Sequence, residues 1–130
     1  MAEHNTILIV EDEKDFVRAL EILLKSKNYE VEIAYDGMTG LEKARSLRPG
    51  LIILDIMLPK INGYKISRLL KFDEQFQDIP IIMLTARAEK HDEELGMETG
   101  ADIYMTKPLD NKELLANINQ LIGEPAADDE

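Results

Sequence analysis

The sequence contains no cysteine. It therefore cannot form a disulfide, a thiolate metal site or a catalytic thiol. No apolar stretch approaches the roughly 20 residues that a membrane-spanning helix needs. The first residues, Met1 to His4, lack the basic and then apolar pattern of a signal peptide. Together these absences predict a cytoplasmic protein without a membrane segment.

Positive charge is also scarce, because 15 basic residues stand against 26 acidic ones and the formal net charge is −11. Such a chain repels the phosphate backbone of nucleic acids and the surface of anionic membranes. We therefore expect no direct nucleic acid binding and no membrane binding by this domain.

The length of 130 residues suits one ordinary globular domain and leaves no room for a second core. We expect residues 1–123 to form that domain. Residues 124–130 have no apolar periodicity and four acidic side chains, which predicts a short, disordered acidic tail.

Short apolar runs alternate with longer segments in which apolar residues recur every three or four positions. This alternation is typical of parallel strands joined by crossover helices and predicts the α/β class. Two runs are apolar without alternation, as expected of central strands covered on both faces, and one alternates as an edge strand does. The five predicted strands are Thr6 to Val10, Glu30 to Ala34 (the edge strand), Leu51 to Leu54, Ile81 to Leu84 (the last two central) and Ile103 to Met105.

Five helices are predicted between and after these strands. The first presents an apolar face made of Phe16, Leu20, Leu23 and Leu24, and the second begins with Met38, Leu41 and Ala44 and ends before Pro49-Gly50. The others are predicted over Tyr64 to Phe72, over Asp92 to Glu98, and over Asn111 to Ile122 with Asp110 as its N-cap.

Polar or charged residues follow four of the predicted strands. They are Glu11-Asp12, Asp55, Thr85 and Lys107-Pro108. Ligands of open α/β sheets bind outside the carboxyl ends of the strands, where these side chains would meet. Three carboxylates brought together repel one another unless a hard cation neutralises them, and Mg²⁺ prefers such oxygen ligands.

Taken singly, most of these residues have an ordinary explanation. Thr85 is a common type of strand-end residue, Lys107 a common surface lysine, and Tyr104 a plausible half-buried strand residue. Asp55 differs, because it lies within an apolar stretch, where an idle carboxylate is costly. The two histidines, His4 and His91, have no candidate ligands beside them, and neither predicts a metal site.

Taken together, the ordered set resembles the receiver domains of bacterial response regulators, which share the fold of chemotaxis regulators. The resemblance covers roughly residues 6 to 122. It rests on the motifs Ile53-Leu54-Asp55-Ile56-Met57-Leu58-Pro59 with Asn62-Gly63, Pro80 to Ala86, and Gly100 to Pro108. It implies a doubly wound, flavodoxin-like sheet of five parallel strands in the order 2-1-3-4-5, with helices on both faces.

The resemblance also implies roles for individual residues. Asp55 would accept a phosphoryl group, assisted by the Thr85 hydroxyl and the Lys107 ammonium. Mg²⁺ or Mn²⁺ would be held by Glu11, Asp12, Asp55 and the backbone carbonyl of Met57. The switch would involve Thr85 and Tyr104, the Lys107–Pro108 bond would be cis, and Met57 and Arg87 would flank the phosphoryl site.

The partners implied are a sensor histidine kinase or a histidine phosphotransfer protein as donor, and a downstream protein target. The target would read a face formed by the fourth helix, the fifth strand and the fifth helix. Such domains are regulatory rather than enzymes in the usual sense, although they assist their own phosphorylation and dephosphorylation. We expect a stand-alone regulator or the excised receiver of a longer one, monomeric when unphosphorylated and able to dimerise when phosphorylated.

One departure from the common pattern is Glu11, since many receivers carry two aspartates where this chain has Glu11-Asp12. Two alternatives stay open. A phosphatase similar to the haloacid dehalogenases also phosphorylates an aspartate, but it needs a second aspartate where this chain has Met57. A receiver-like scaffold that binds a partner without being phosphorylated would have no need of the full set of Asp55, Thr85 and Lys107.

Overall fold

Five parallel strands form one sheet in the computed structural model, which describes residues 5–86 and 100–123. The strands are β1 (Thr6–Val10), β2 (Glu30–Ala34), β3 (Leu51–Asp55), β4 (Ile81–Thr85) and β5 (Ile103–Thr106). The described helices are α1 (Lys14–Ser26), α2 (Gly37–Leu47), α3 (Gly63–Lys71) and α4 (Asn111–Ile122). The strand order is β2-β1-β3-β4-β5, so the expected doubly wound topology is confirmed.

The five predicted strands are confirmed to within one residue at each end. Strands β3, β4 and β5 each run one residue further than predicted, so that Asp55, Thr85 and Thr106 belong to strands. Strand β2 lies at the edge of the sheet as predicted. Helix α4 corresponds to the predicted fifth helix, whereas the predicted fourth helix and the acidic tail 124–130 lie outside the described residues.

Two apolar clusters sandwich the sheet, because successive side chains of each central strand point to opposite faces. On one face the strand residues pack under α1 and α4, and on the other under α2 and α3. The first cluster includes Ile53, Ile82, Leu24, Leu114 and Ile118, and the second includes Ile52, Ile81, Leu41, Ile66 and Leu70.

Three of the described helices begin at a residue whose side chain accepts a hydrogen bond from a free backbone N–H group of the first turn. Asp36 accepts a hydrogen bond from the Thr39 N–H at 2.8 Å, and Asn62 accepts one from the Lys65 N–H at 3.0 Å. Asp110 accepts two N–H groups at the start of α4, at 2.9 and 3.2 Å, which confirms its predicted N-cap role. The bond from Thr39 holds the pKa of Asp36 below its ordinary value.

Helix α2 includes Met38, Leu41 and Ala44 as predicted, although Met38 is 42% exposed. Leu41 and Ala44 are buried as expected, but the helix approaches the sheet through glycine. A Cβ atom on Gly40 would lie 2.6 Å from the Val10 side chain, so the backbone itself packs on β1. Apolar periodicity alone does not reveal this close approach, because it depends on a glycine.

Candidate functional site

The carboxyl ends of four neighbouring strands bring the predicted residues to one edge of the sheet. Glu11 follows β1, Asp55 ends β3, Thr85 ends β4 and Lys107 follows β5. Glu11, Asp55 and Thr85 are buried, with 1%, 4% and 5% of their surface exposed, while Asp12 is exposed. The edge therefore combines buried acidic groups with an exposed carboxylate at the entrance.

The three carboxylates form one cluster, in which an oxygen of Glu11, of Asp12 and of Asp55 all lie within 4.8 Å of one another. Backbone hydrogen bonds fix the segments that carry them. The Glu11 N–H donates to the Ala34 carbonyl at 3.0 Å, and the Ile56 N–H donates to the Leu84 carbonyl at 3.0 Å. Oxygen donors at this separation suit a hard divalent cation such as Mg²⁺ or Mn²⁺.

Lys107 supplies the positive charge of the site. Its Nζ lies 2.7 Å from Glu11 Oε1, and 3.7 Å from both Asp55 Oδ1 and Glu13 Oε1. The Lys107 N–H also donates to the Thr85 carbonyl at 2.7 Å, which ties the loop after β5 to β4. The family resemblance implies that Lys107 assists Asp55, but its shortest ion pair is with Glu11.

Crowding of charge alters the acidity of the central groups. Burial, and then the charge of Glu11, raise the pKa of Asp55 to about 6, although Lys107 and the Met57 N–H act to lower it. Burial alone would lower the pKa of Lys107, but its hydrogen bond to Glu11 and the neighbouring carboxylates raise it above the ordinary value. The site thus disfavours the charged form of Asp55, and further positive charge nearby would stabilise that form.

The remaining predicted residues lie around this centre. Thr85 and Tyr104 occupy positions of β4 and β5 that point to the α2–α3 face, and Tyr104 packs against the cluster there. Met57 has a side chain that is 73% exposed. The Lys107–Pro108 peptide bond is cis, as expected. Arg87 and the two histidines lie outside the described residues.

Two residues near the site were not assigned a site role from the sequence. Phe16 was predicted only as a core-facing residue of the first helix, yet its ring lies 4.7 Å from Lys107 Nζ. Gly63 was quoted only as part of a motif, yet a Cβ atom there would lie 2.3 Å from the Asp55 carbonyl oxygen. The available signal for Phe16 was its position, since it is an aromatic residue in the first turn of the helix that follows the acidic pair Glu11-Asp12.

Replacement of Gly63 by alanine is expected to lower the free energy of unfolding by about 1–3 kcal/mol, because the new methyl group has no room beside β3. The Gly63 N–H donates to the Ile56 carbonyl at 2.9 Å, so the start of α3 cannot move away without losing that bond. Urea denaturation of both proteins measures the difference. An unchanged midpoint and slope of the urea denaturation curve would contradict the close approach of Gly63 to β3.

No helix among the described residues is long and apolar enough to cross a membrane.

Comparison with known proteins identifies relatives whose similarity to this chain extends over the whole sheet. The sequence profile of the response regulator receiver domain matches residues 7–119. The response regulator ArlR of Staphylococcus saprophyticus is 48% identical over 116 residues, which make up 89% of this chain and 51% of the relative. ArlR of Staphylococcus aureus strain Mu50 is also 48% identical, with 52% of its length covered. The chain thus spans about half the length of the curated relatives it matches.

Solved structures give the same result. A response regulator from Chloroflexus aurantiacus is 31% identical, with a TM-score of 0.87 over 92% of this chain and 98% of that one. The receiver domain of a sensor histidine kinase from Pseudomonas aeruginosa is 32% identical, with a TM-score of 0.84 over the same shares, and was crystallised with a magnesium ion coordinated in its active site cleft. From its sequence, fold and strand-end residues, the chain belongs to the response regulator receiver domain family, the regulatory domains of two-component systems.

Proposed function

We propose that this domain accepts a phosphoryl group on Asp55 from a phosphohistidine of a sensor kinase or a histidine phosphotransfer protein. The observation that carries the proposal is the meeting of Glu11, Asp12 and Asp55 with Lys107 at one edge of the sheet. The buried Asp55 is the last residue of a central strand.

In the proposed reaction a carboxylate oxygen of Asp55 attacks the phosphorus atom of the phosphohistidine. The new O–P bond forms an acyl phosphate, the P–N bond breaks, and its electron pair leaves with the donor imidazole. Both reactants are anionic, so positive charge must offset their repulsion. Lys107 Nζ is 3.7 Å from Asp55 Oδ1 and can contact a phosphoryl oxygen, while the Thr85 hydroxyl donates to another.

Mg²⁺ or Mn²⁺ would be held by Asp12, Asp55 and the backbone carbonyl of Met57. When bound, the metal would neutralise the carboxylates and stabilise the charge on the transferring group. Glu11 would take part through water, since its Oε1 pairs with Lys107 and its Oε2 accepts the Glu13 N–H at 3.0 Å. In this proposal the acidic residues and the Met57 carbonyl hold the metal, while Lys107 and Thr85 contact the phosphoryl oxygens.

The proposed switch begins at Thr85 and Tyr104, which share one face of the sheet. A Thr85 hydroxyl drawn towards the phosphoryl group would alter the space beside Tyr104, and a population shift would follow. The output surface proposed is that of the predicted fourth helix, β5 and α4, read by a protein target.

We propose residues 1–123 as the functional unit, monomeric before phosphorylation and able to dimerise after it. That this unit acts as a stand-alone regulator stays a prediction.

Intact-mass spectrometry after incubation with acetyl phosphate tests the proposal. We expect the wild type to gain one phosphoryl group when Mg²⁺ is present and none when EDTA replaces it. Asp55→Asn should show no gain under either condition, because an amide is not a nucleophile for this transfer.

Asp78→Asn is the matched control, since Asp78 is an exposed aspartate in the segment between α3 and β4. This variant should gain a phosphoryl group as the wild type does. A folded wild type that gains nothing with Mg²⁺ would contradict the proposal and favour a scaffold that is not phosphorylated. A gain that survives in Asp55→Asn would place the modification on another residue.

A further inference from the structure

The ammonium of Lys107 is surrounded by three carboxylates and one aromatic ring. The carboxylates are those of Glu11 at 2.7 Å and of Glu13 and Asp55 at 3.7 Å. The ring belongs to Phe16 in the first turn of α1, and its centroid lies 4.7 Å from Nζ. Phe16 is half-buried and packs against the cluster under α1 and α4, so its position is set by the core.

The Lys107 ammonium must stay in the site and yet be free to move from Glu11 to Asp55. A lysine side chain is flexible along its four-carbon stem and loses much of its rotamer freedom when it is fixed in one place. In the structure its shortest ion pair is with Glu11, whereas the proposed reaction needs it beside Asp55. Some contact must keep Nζ in the site while it moves from one carboxylate to the other.

We infer that Phe16 is a positioning residue that keeps the Lys107 ammonium beside Asp55 during phosphoryl acceptance. The inference rests on the proposed function. A ring face attracts an ammonium through its quadrupole, and this attraction does not require a directed hydrogen bond. It therefore confines Nζ without competing for a fixed hydrogen-bond geometry, which a fourth carboxylate would do.

Leucine at position 16 would keep apolar bulk in the core but remove the ring face. Phe16→Leu should accept a phosphoryl group from acetyl phosphate about threefold to tenfold more slowly than the wild type at saturating Mg²⁺, measured by intact mass over time. Its Mg²⁺ affinity, measured by titration calorimetry, should stay within twofold, because the candidate ligand oxygens belong to Glu11, Asp12 and Asp55 and not to Phe16. Phe16→Tyr restores a ring face and should recover the wild-type rate.

Ile22→Ala is the control for a general disturbance of α1, because Ile22 lies on the same helix with 62% of its surface exposed. It should leave both rate and affinity unchanged. Phe16→Met serves as a second ring-free variant, should Phe16→Leu unfold at the assay temperature.

Three results would overturn the inference. The first is an equal rate in the wild type and the ring-free variants. The second is a loss of Mg²⁺ affinity in parallel with the rate, which would show that Phe16 only supports the acidic cluster. The third is a Phe16→Tyr variant as slow as Phe16→Leu. Absence of phosphorylation in the wild type is a separate outcome, since it would contradict the proposed function itself.

Discussion

Lys107→Ala is expected to lower the free energy of unfolding by about 3 kcal/mol at pH 7 in buffer with EDTA. The side chains of Glu11 and Asp55 are only 1% and 6% exposed, and Lys107 is the cation that both contact. Its removal leaves buried carboxylates facing each other without compensation, which costs more than the ion pair itself contributes. Urea denaturation followed by circular dichroism measures the loss.

Addition of Mg²⁺ should restore part of the stability of Lys107→Ala, because a cation held by the same carboxylates replaces the missing charge. Lys65→Ala is the control, since Lys65 is an exposed lysine on α3 and should change stability by less than about 0.5 kcal/mol. If Lys107→Ala proved as stable as the wild type with EDTA, the strong burial of the acidic pair would be refuted.

Asp55→Asn is expected to stabilise the fold by about 2 kcal/mol at pH 7 in the same metal-free buffer. The folded-state pKa of about 6 lies above the ordinary value of 3.8, so the folded protein retains a proton that the unfolded chain releases. Stability of the wild type should therefore fall as pH rises from about 4 to about 6 and then stay level. Asparagine carries no charge and avoids this loss.

Denaturation at several pH values between 4.5 and 7.5 tests this sign. The stability difference between Asp55→Asn and the wild type should grow from pH 4.5 to about pH 6 and then stay level, and Mg²⁺ should reduce it. Asp78→Asn, with its exposed side chain, should show no such growth. A wild type that gained stability relative to Asp55→Asn as pH rose would mean that Lys107 outweighs the burial and the neighbouring carboxylates.

Much of the fold could be predicted from the sequence because its signals act over short distances. The apolar runs that became β3 and β4 and the Asp110 cap of α4 depend on neighbouring residues, and the structure confirms them. The strand ends also placed Asp55, Thr85 and Lys107 at one edge, since parallel strands share their carboxyl edge. The packing of Gly40 on Val10 could not be predicted, because it is a contact between two separate elements.

The sequence by itself determined which chemical groups reach the edge of the sheet and that acidic charge would exceed basic charge there. Only the tertiary structure decided how those groups pair. Lys107 lies closer to Glu11 than to Asp55, and the ring of Phe16 lies against its ammonium. These contacts join three separate segments and depend on side-chain length, rotamer and packing against the core, whereas a pattern along the chain reports only the order and spacing of residues.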